Sequence, residues 1–277
     1  MTDVFFVYLE LMFAERNTFM PIKMIVTDLD GTLLRSDKTV SSYTESVFRR
    51  CHDVGIKIVF ATARPVRAVN DLCLKIEKDA AVYHNGAVFE IENSVCGSIG
   101  IEQEVAKALL LKANRQFSDI TISVEINDVL YSNFEVSGIW PGYSAVITDF
   151  TDLPDKQVDK IIFCTAEKGA VNEINKMLDD ELYSEITENQ ILLVMNKNAR
   201  KFTAIGKIAE RFNISVSDVA AFGDDFNDVE MIRGCGTGVA VLNAIEEVKA
   251  AADYICDSND NDGAAKWLEE NVLDKKT

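Results

Sequence analysis

Residues 24–34 read MIVTDLDGTLL, and this stretch decides the fold. Its apolar first half predicts a buried β-strand. Asp28 and Asp30 follow two positions apart, so their side chains would share one face of a strand. Gly31 then lets the backbone turn away. Two close carboxylates repel each other unless a cation or a shared proton intervenes, so the stretch predicts a site for a hard metal ion such as Mg²⁺. The alternative is a strand that simply ends in a polar turn.

A second acidic stretch lies near the other end of the chain. Residues 219–228 read VAAFGDDFND, again an apolar strand followed by glycine and acids. In an open α/β sheet, ligands bind at the carboxyl ends of strands, where both acidic groups would lie. The two stretches resemble the first and last motifs of the haloacid dehalogenase (HAD) superfamily of phosphohydrolases. The resemblance runs from about residue 23 to residue 268 and is closest to the Cof-type members, which carry a large cap domain.

The composition is that of an ordinary globular protein with a strong negative charge. The 277 residues are 48% hydrophobic and 26% charged, which allows a core of good size. The formal net charge of −17 argues against nucleic acid or an anionic membrane surface as a partner. Six cysteines without a Cys-x-x-Cys pair favour reduced thiols and a cytoplasmic location.

The first twenty residues stand apart from this pattern. Their apolar run is too short and too interrupted to span a bilayer. We interpret residues 1–20 as an N-terminal extension; a start further along the chain, or an arm that dimerises or touches a membrane, are the alternatives.

Strands and helices alternate in both outer parts of the chain. A helix is predicted over residues 42–54, where Ser42 opens a capping box, and strands are predicted over 56–61 and 80–83. This alternation predicts an α/β fold with a doubly wound, Rossmann-like, mainly parallel sheet. Residues 87–193 break the alternation and predict an inserted α+β cap domain with largely antiparallel strands. The core would comprise residues 21–86 and 194–277.

The resemblance implies a role for each acid. Asp28 would be the nucleophile that forms an aspartyl-phosphate. Asp30 would protonate the leaving group and later deprotonate water, which suits a carboxyl whose pKa is raised. Mg²⁺ would be held by the Asp28 carboxylate, the Asp30 carbonyl and Asp224. Asn227 would bind the phosphate, and Asp228 would contact the metal ligands without binding the metal itself.

The resemblance also implies phosphate donors at the end of the second strand. Thr62 matches the threonine of the family, where the hydroxyl and the amide that follows, here that of Ala63, hold a phosphoryl oxygen. A strand-end threonine that only caps the strand is the alternative. The chain has Thr-Ala-Arg where the family commonly has Thr-Gly-Arg, which leaves the role of Arg64 open.

The resemblance implies a lysine as a further group that binds the substrate phosphate. Lys201 aligns best with the lysine of the family, because it opens the helix that leads to the second acidic strand. Lys197 and Arg200 are nearby competitors, and a solvated lysine at a helix start is the simpler interpretation.

The spacing of the motifs indicates the substrate. More than a hundred residues separate Thr62 from Lys201, so a cap would roof the site and exclude polymers. Trp140 and Tyr143 lie in this cap, and we expect them to pack in its core rather than to meet the substrate. The substrates would be small phosphorylated metabolites. Sugar phosphates are the leading candidates, and phosphorylated cofactors such as pyridoxal phosphate or flavin mononucleotide are the next. The alternatives are a phosphomutase on the same core and a catalytically silent regulator that binds a phosphorylated ligand. The protein would act as a monomer or a homodimer.

Overall fold

The computed structural model describes residues 22–72, 74–117, 119–165, 167–187 and 191–274. The predicted N-terminal extension lies outside them. The described residues form two β-sheets, of eight and six strands, and no helix among them is both long and apolar enough to cross a membrane. The strands are β1 (Met24–Thr27), β2 (Lys57–Ala61), β3 (Ala80–Tyr83), β4 (Val88–Ile91), β5 (Ser94–Ser98), β6 (Ile122–Ile126), β7 (Val129–Ser132), β8 (Val146–Ile147), β9 (Lys160–Phe163), β10 (Leu182–Thr187), β11 (Ile191–Asn196), β12 (Val219–Gly223), β13 (Thr237–Ala240) and β14 (Tyr254–Ile255). The α-helices are α1 (Ser42–Asp53), α2 (Val66–Asn70), α3 (Gln103–Gln116), α4 (Lys168–Asn175), α5 (Lys201–Arg211), α6 (Val229–Gly234), α7 (Glu246–Ala251) and α8 (Gly263–Leu268).

The larger sheet is built around β1. Its strand order is β14-β13-β12-β1-β2-β3-β4-β5, and β1 pairs in parallel with β2 on one side and β12 on the other. The chain leaves β1 towards one edge of the sheet and later returns on the other side. This reversal makes the carboxyl end of β1 a topological switch point, the place where open α/β sheets bind ligands.

Helices cover both faces of β1, which explains its unbroken apolar sequence. Ile25 belongs to a buried cluster with Phe48 of α1 and with residues of α8. Val26 faces the opposite way and shares a second buried cluster with Ile205 of α5. A strand buried on both faces reads as a continuous hydrophobic run. One local prediction is wrong by one residue: α1 is capped by Ser41, whose Oγ accepts a hydrogen bond from the Thr44 amide, and not by Ser42.

The smaller sheet forms the cap. Its order is β10-β11-β9-β6-β7-β8, and every neighbouring pair is antiparallel except β7 and β8. Helices α3 and α4 pack against one face, where Leu110 and Ile174 join a cluster with Val124 and Phe163. The opposite face contributes Ile162 and Leu193 to a cleft shared with the core.

The predicted domain limits do not coincide with the two sheets. Strands β4 and β5 fall inside the predicted insert, but β4 pairs with β3 and extends the larger sheet. At the other limit, β11 pairs with β9 and stays in the cap sheet until Asn196. We therefore propose a core of residues 22–98 and 197–274 and a cap of residues 99–196.

Candidate active site

Three carboxylates converge at the switch point. Asp28 follows β1 and Asp224 follows β12, and parallel pairing of the two strands brings both to the same edge. With Asp228, they offer carboxylate oxygens that all lie within 4.8 Å of one another. Burial raises the pKa of Asp224 to about 6, although the hydrogen bond from Thr32 opposes this shift. Oxygen donors with surplus negative charge are the ligand set of a hard divalent cation.

The glycine of the first motif makes this convergence possible. Gly31 has a φ of +81°, a conformation that L side chains rarely adopt. A Cβ atom at this position would lie 2.4 Å from Oδ2 of Asp224. The next residue, Thr32, donates a hydrogen bond of 2.5 Å from its hydroxyl to Oδ1 of Asp224. The loop after β1 therefore both makes room for the Asp224 carboxylate and holds it.

Lys201 links two of the three acids. Its Nζ lies 2.6 Å from Oδ1 of Asp28 and 2.7 Å from Oδ1 of Asp228, and all three side chains are buried. Burial raises the pKa of Asp28 well above its ordinary range, helped by the neighbouring acids and opposed by Lys201. Burial opposes the charge of Lys201, but its two carboxylate partners raise its pKa above the ordinary value. One ammonium cannot neutralise three carboxylates, so the group fits a divalent cation.

The basic residues that compete with Lys201 in the sequence lie elsewhere. Lys197 forms an exposed ion pair with Glu181, and the guanidinium of Arg200 lies 3.7 Å from the ring centre of Tyr183. Neither of these side chains is part of the group around Asp28.

Asp228 is held from two sides. Its Oδ1 accepts from Lys201, and its Oδ2 accepts from the backbone amides of Asp224 and Asp225 at 2.9 and 3.2 Å. With both oxygens engaged and no exposed surface, Asp228 is better placed to orient the Asp224 loop than to bind a metal directly.

Asp30 differs from its predicted environment. Its carboxylate accepts hydrogen bonds from Nε and Nη2 of Arg64 at 2.6 and 2.7 Å and from Nζ of Lys38 at 2.7 Å. Partial burial alone would raise the pKa of Asp30, but these two cations outweigh it and lower the pKa to about 2. The expectation of a raised pKa is therefore wrong for this state of the protein. The low pKa of Asp30 is caused by Lys38 and by Arg64, the arginine after Thr62 and Ala63 whose role the sequence left open.

The predicted phosphate donors line the same cleft. Thr62 is buried at the end of β2, and its Oγ1 accepts a hydrogen bond of 3.1 Å from the amide of Arg64. Ala63 and Asn227 also border the cleft. The Asn227 side-chain amide donates to Oδ1 of Asn85 at 2.9 Å. These three residues therefore line the same cleft as Asp28 and Asp224.

The cleft lies between core and cap and has a volume of about 820 Å³. Trp140 and Tyr143 line it, contrary to the expectation that they pack in the core of the cap. Sequence reasoning also missed the charged cap residues at its wall, Glu125, Lys160 and Glu185. Single charges on half-apolar strands carry no sequence signal that distinguishes a cleft wall from a solvated face.

Core and cap are tied by an ion pair beside the cleft. Arg67 of α2 donates from Nη1 and Nη2 to the two oxygens of Glu125 at 2.9 and 2.7 Å. The Glu125 side chain is buried in β6, and the Arg67 amide also donates to Oδ1 of Asp128.

The protein thus combines an α/β core, which gathers carboxylates at its switch point, with a cap whose residues line one side of the same cleft. The chain belongs to the haloacid dehalogenase-like hydrolases, whose family model matches residues 25–268. It is a Cof-type phosphohydrolase of the HAD superfamily, and the predicted family and α/β fold with a cap are confirmed.

Named relatives agree with this assignment. The chain is 26% identical over 262 residues to the 5-amino-6-(5-phospho-D-ribitylamino)uracil phosphatase YitU of Bacillus subtilis, covering 89% of this chain and 96% of YitU. It is 25% identical over 246 residues to the HMP-PP phosphatase of an Enterobacter species, covering 84% of this chain and 89% of that protein. The solved HAD phosphatase BT1666 from Bacteroides thetaiotaomicron superposes with a TM-score of 0.80 at 25% identity, covering 93% of this chain and 97% of BT1666. The protein is a phosphoric monoester hydrolase.

Proposed function

We propose that the protein is a Mg²⁺-dependent phosphatase of small phosphorylated metabolites that works through an aspartyl-phosphate on Asp28. The observation that carries the proposal is the convergence of Asp28, Asp224 and Asp228, two of which share the ammonium of Lys201. Mg²⁺ bound by Asp28, Asp224 and the Asp30 carbonyl would offset the negative charge of the phosphoryl group.

Each step of the reaction has a residue to perform it. An Asp28 carboxylate oxygen attacks phosphorus, and the bond from phosphorus to the ester oxygen breaks. Asp30 gives its proton to that departing oxygen and then takes a proton from the water that hydrolyses the acyl phosphate. Since Arg64 and Lys38 hold Asp30 as a carboxylate, Asp30 would first have to take up a proton from water, which requires the substrate to draw those cations away.

The remaining residues orient the phosphate and balance charge. Thr62, Ala63 and Asn227 supply hydrogen-bond donors at the cleft wall. Lys201 keeps Asp28 in place and compensates part of its charge. Positioned groups of this kind supply most of the catalysis in phosphoryl transfer.

The residues that line the cleft favour a small substrate whose leaving group is partly apolar. Trp140, Tyr143, Leu130 and Ile162 contribute apolar surface beside the charged residues. Sugar and polyol phosphates remain the first candidates, and the relative YitU is named for a ribityl phosphate that bears a uracil ring. Hydrolysis is favoured over a phosphomutase or a silent regulator because the named relatives are phosphatases. The cytoplasmic location and the monomeric or dimeric state stay predictions.

Metal dependence tests the proposal. Protein stripped with a chelator should lose hydrolysis of p-nitrophenyl phosphate, Mg²⁺ should restore it, and Ca²⁺ should restore little because it prefers larger, less regular coordination. Asp224→Asn should weaken activation by Mg²⁺ at least tenfold. Asp225→Asn is the matched control, since this exposed neighbour is not one of the three converging carboxylates. Full turnover after exhaustive metal removal would overturn the proposal.

A further inference from the structure

A buried lysine of the cap reaches the phosphate-binding end of the cleft. Lys160 is the first residue of β9, and only 8% of its surface is exposed. Its Nζ donates a hydrogen bond of 3.2 Å to the carbonyl oxygen of Ala63, the residue after Thr62. The cap thereby places a cation next to the two residues proposed to hold the phosphoryl group.

The obvious partner of this lysine is engaged elsewhere. Glu125 lies opposite Lys160 in the antiparallel register of β6 and β9. Both Glu125 oxygens, however, accept hydrogen bonds from Arg67. Across the ranges that the structure describes, Lys160 forms no ion pair with any carboxylate.

The other cations at the cleft wall do have partners. Lys38 and Arg64 both bind Asp30, and Arg67 binds Glu125. Lys160 therefore differs from them in having no paired carboxylate: Glu125, Asp159 and Glu185 are near enough to favour its charged form, but none of them forms an ion pair with it.

An unmatched buried ammonium is costly. Burial lowers the pKa of Lys160 because the charged form loses its hydration. An ammonium has three hydrogen-bond donors, and the Ala63 carbonyl uses one of them. An anion brought in by the substrate would supply both the missing charge and further acceptors.

We propose that Lys160 selects substrates that carry a second anionic group, a carboxylate or another phosphoryl group, within a few bonds of the scissile phosphate. This inference rests on the proposed phosphatase function and adds a substrate class to it. Lys160 would bind the leaving-group side of the substrate, whereas Thr62 and Ala63 hold the phosphoryl group itself. Its position in the cap would also make recognition depend on closure of the cap over the core.

Matched substrates separate this role from general catalysis. We would measure kcat/KM with Mg²⁺ for 2-hydroxyethyl phosphate, 2-phosphoglycolate and ethyl diphosphate. The second compound adds a carboxylate and the third adds a phosphoryl group, so the two arms distinguish the two sources of the anion. The readout is the ratio of each anionic substrate to 2-hydroxyethyl phosphate.

The wild-type protein should prefer at least one anionic substrate. Lys160→Met should lower that preference about 10- to 100-fold, the range expected when a hydrogen bond to a charged group is lost. The loss should appear mainly in KM. Lys160→Arg should keep part of the preference, and Lys160→Gln serves as a second neutral variant should the methionine variant not fold. Lys176→Met is the control, since Lys176 is an exposed cap lysine with 70% of its side chain in solvent.

The outcomes are separable. A wild-type protein that hydrolyses none of the three compounds or p-nitrophenyl phosphate would overturn the phosphatase proposal as well. Active wild-type protein with no preference for either anionic compound, or with the same preference in folded Lys160 variants, would overturn the role of Lys160 alone. In that case the Ala63 contact would serve only to join cap and core.

Discussion

Replacing Gly31 by alanine tests whether the loop after β1 positions the carboxylates that we propose bind Mg²⁺. The new Cβ would lie 2.4 Å from Oδ2 of Asp224, about 1 Å short of the 3.4 Å at which ordinary contact begins. The loop cannot easily yield, because Asn243 donates a hydrogen bond of 2.7 Å to the Gly31 carbonyl. The Asp224 carboxylate would therefore have to move, and its hydrogen bond from Thr32 would be disturbed.

A displacement of about 1 Å at a catalytic centre can cost about 100-fold in rate. We therefore expect Gly31→Ala to lower kcat/KM for p-nitrophenyl phosphate about 100-fold and to weaken Mg²⁺ binding measured by calorimetry. Gly55→Ala is a matched control, because Gly55 has a similar φ of +85° but nothing within 4 Å of its would-be Cβ. Both variants carry the same backbone strain of about 1 kcal/mol, so the difference between them isolates the contact with Asp224.

Equal activity of the folded Gly31 and Gly55 variants, within about threefold, would contradict a positioning role for Gly31. It would mean that the Asp224 carboxylate has no fixed position to lose. A drop in activity without a change in Mg²⁺ affinity would instead assign Asp224 a role other than metal binding.

Two further predictions concern the charges of the site. Lys201→Met leaves two buried carboxylates without their cation and should lower the free energy of unfolding by about 3–5 kcal/mol. Lys197→Met removes an exposed ion pair and should lower it by less than about 1 kcal/mol. Urea unfolding measures both values, and equal losses would contradict the prediction. Arg64→Met should raise the pKa of Asp30 from about 2, because one of its two cations is lost. The carboxyl ¹³C chemical shift of Asp30, measured against pH, gives this pKa, and an unchanged titration curve would contradict the prediction. Because the folded pKa of Asp30 is depressed, its ion pairs stabilise the wild type above the ordinary aspartate pKa, and this stabilisation disappears as the pH falls towards 2.

The acidic site could be predicted from the sequence because its geometry is largely local. An apolar strand that ends in acids and Gly31 fixes where the Asp28 side chain lies, and parallel pairing adds Asp224. The limit of the core could not be predicted in the same way. Strand β4, which extends the core sheet, turns into β5 through a hairpin whose turn residues, Glu92 and Asn93, both have positive φ. Such turns usually contain glycine, so this one carried no clear signal.

The charges around the cleft depend on contacts between distant segments. The low pKa of Asp30 comes from Arg64 and Lys38, which follow different elements of the core. The unmatched charge of Lys160 arises because Arg67, from the core, engages the glutamate opposite it in the cap. A sequence shows these residues but not which of the possible ion pairs the packed domains select.

If Asp28 forms a covalent bond to the phosphoryl group, the aspartyl-phosphate can be trapped. Protein mixed with Mg²⁺ and substrate should be quenched in acid within the turnover time, digested and examined by mass spectrometry. We expect an added phosphoryl group on the peptide that contains Asp28, and no such adduct in Asp28→Asn. Phosphate on any other residue, or an undiminished adduct in the Asp28 variant, would contradict it.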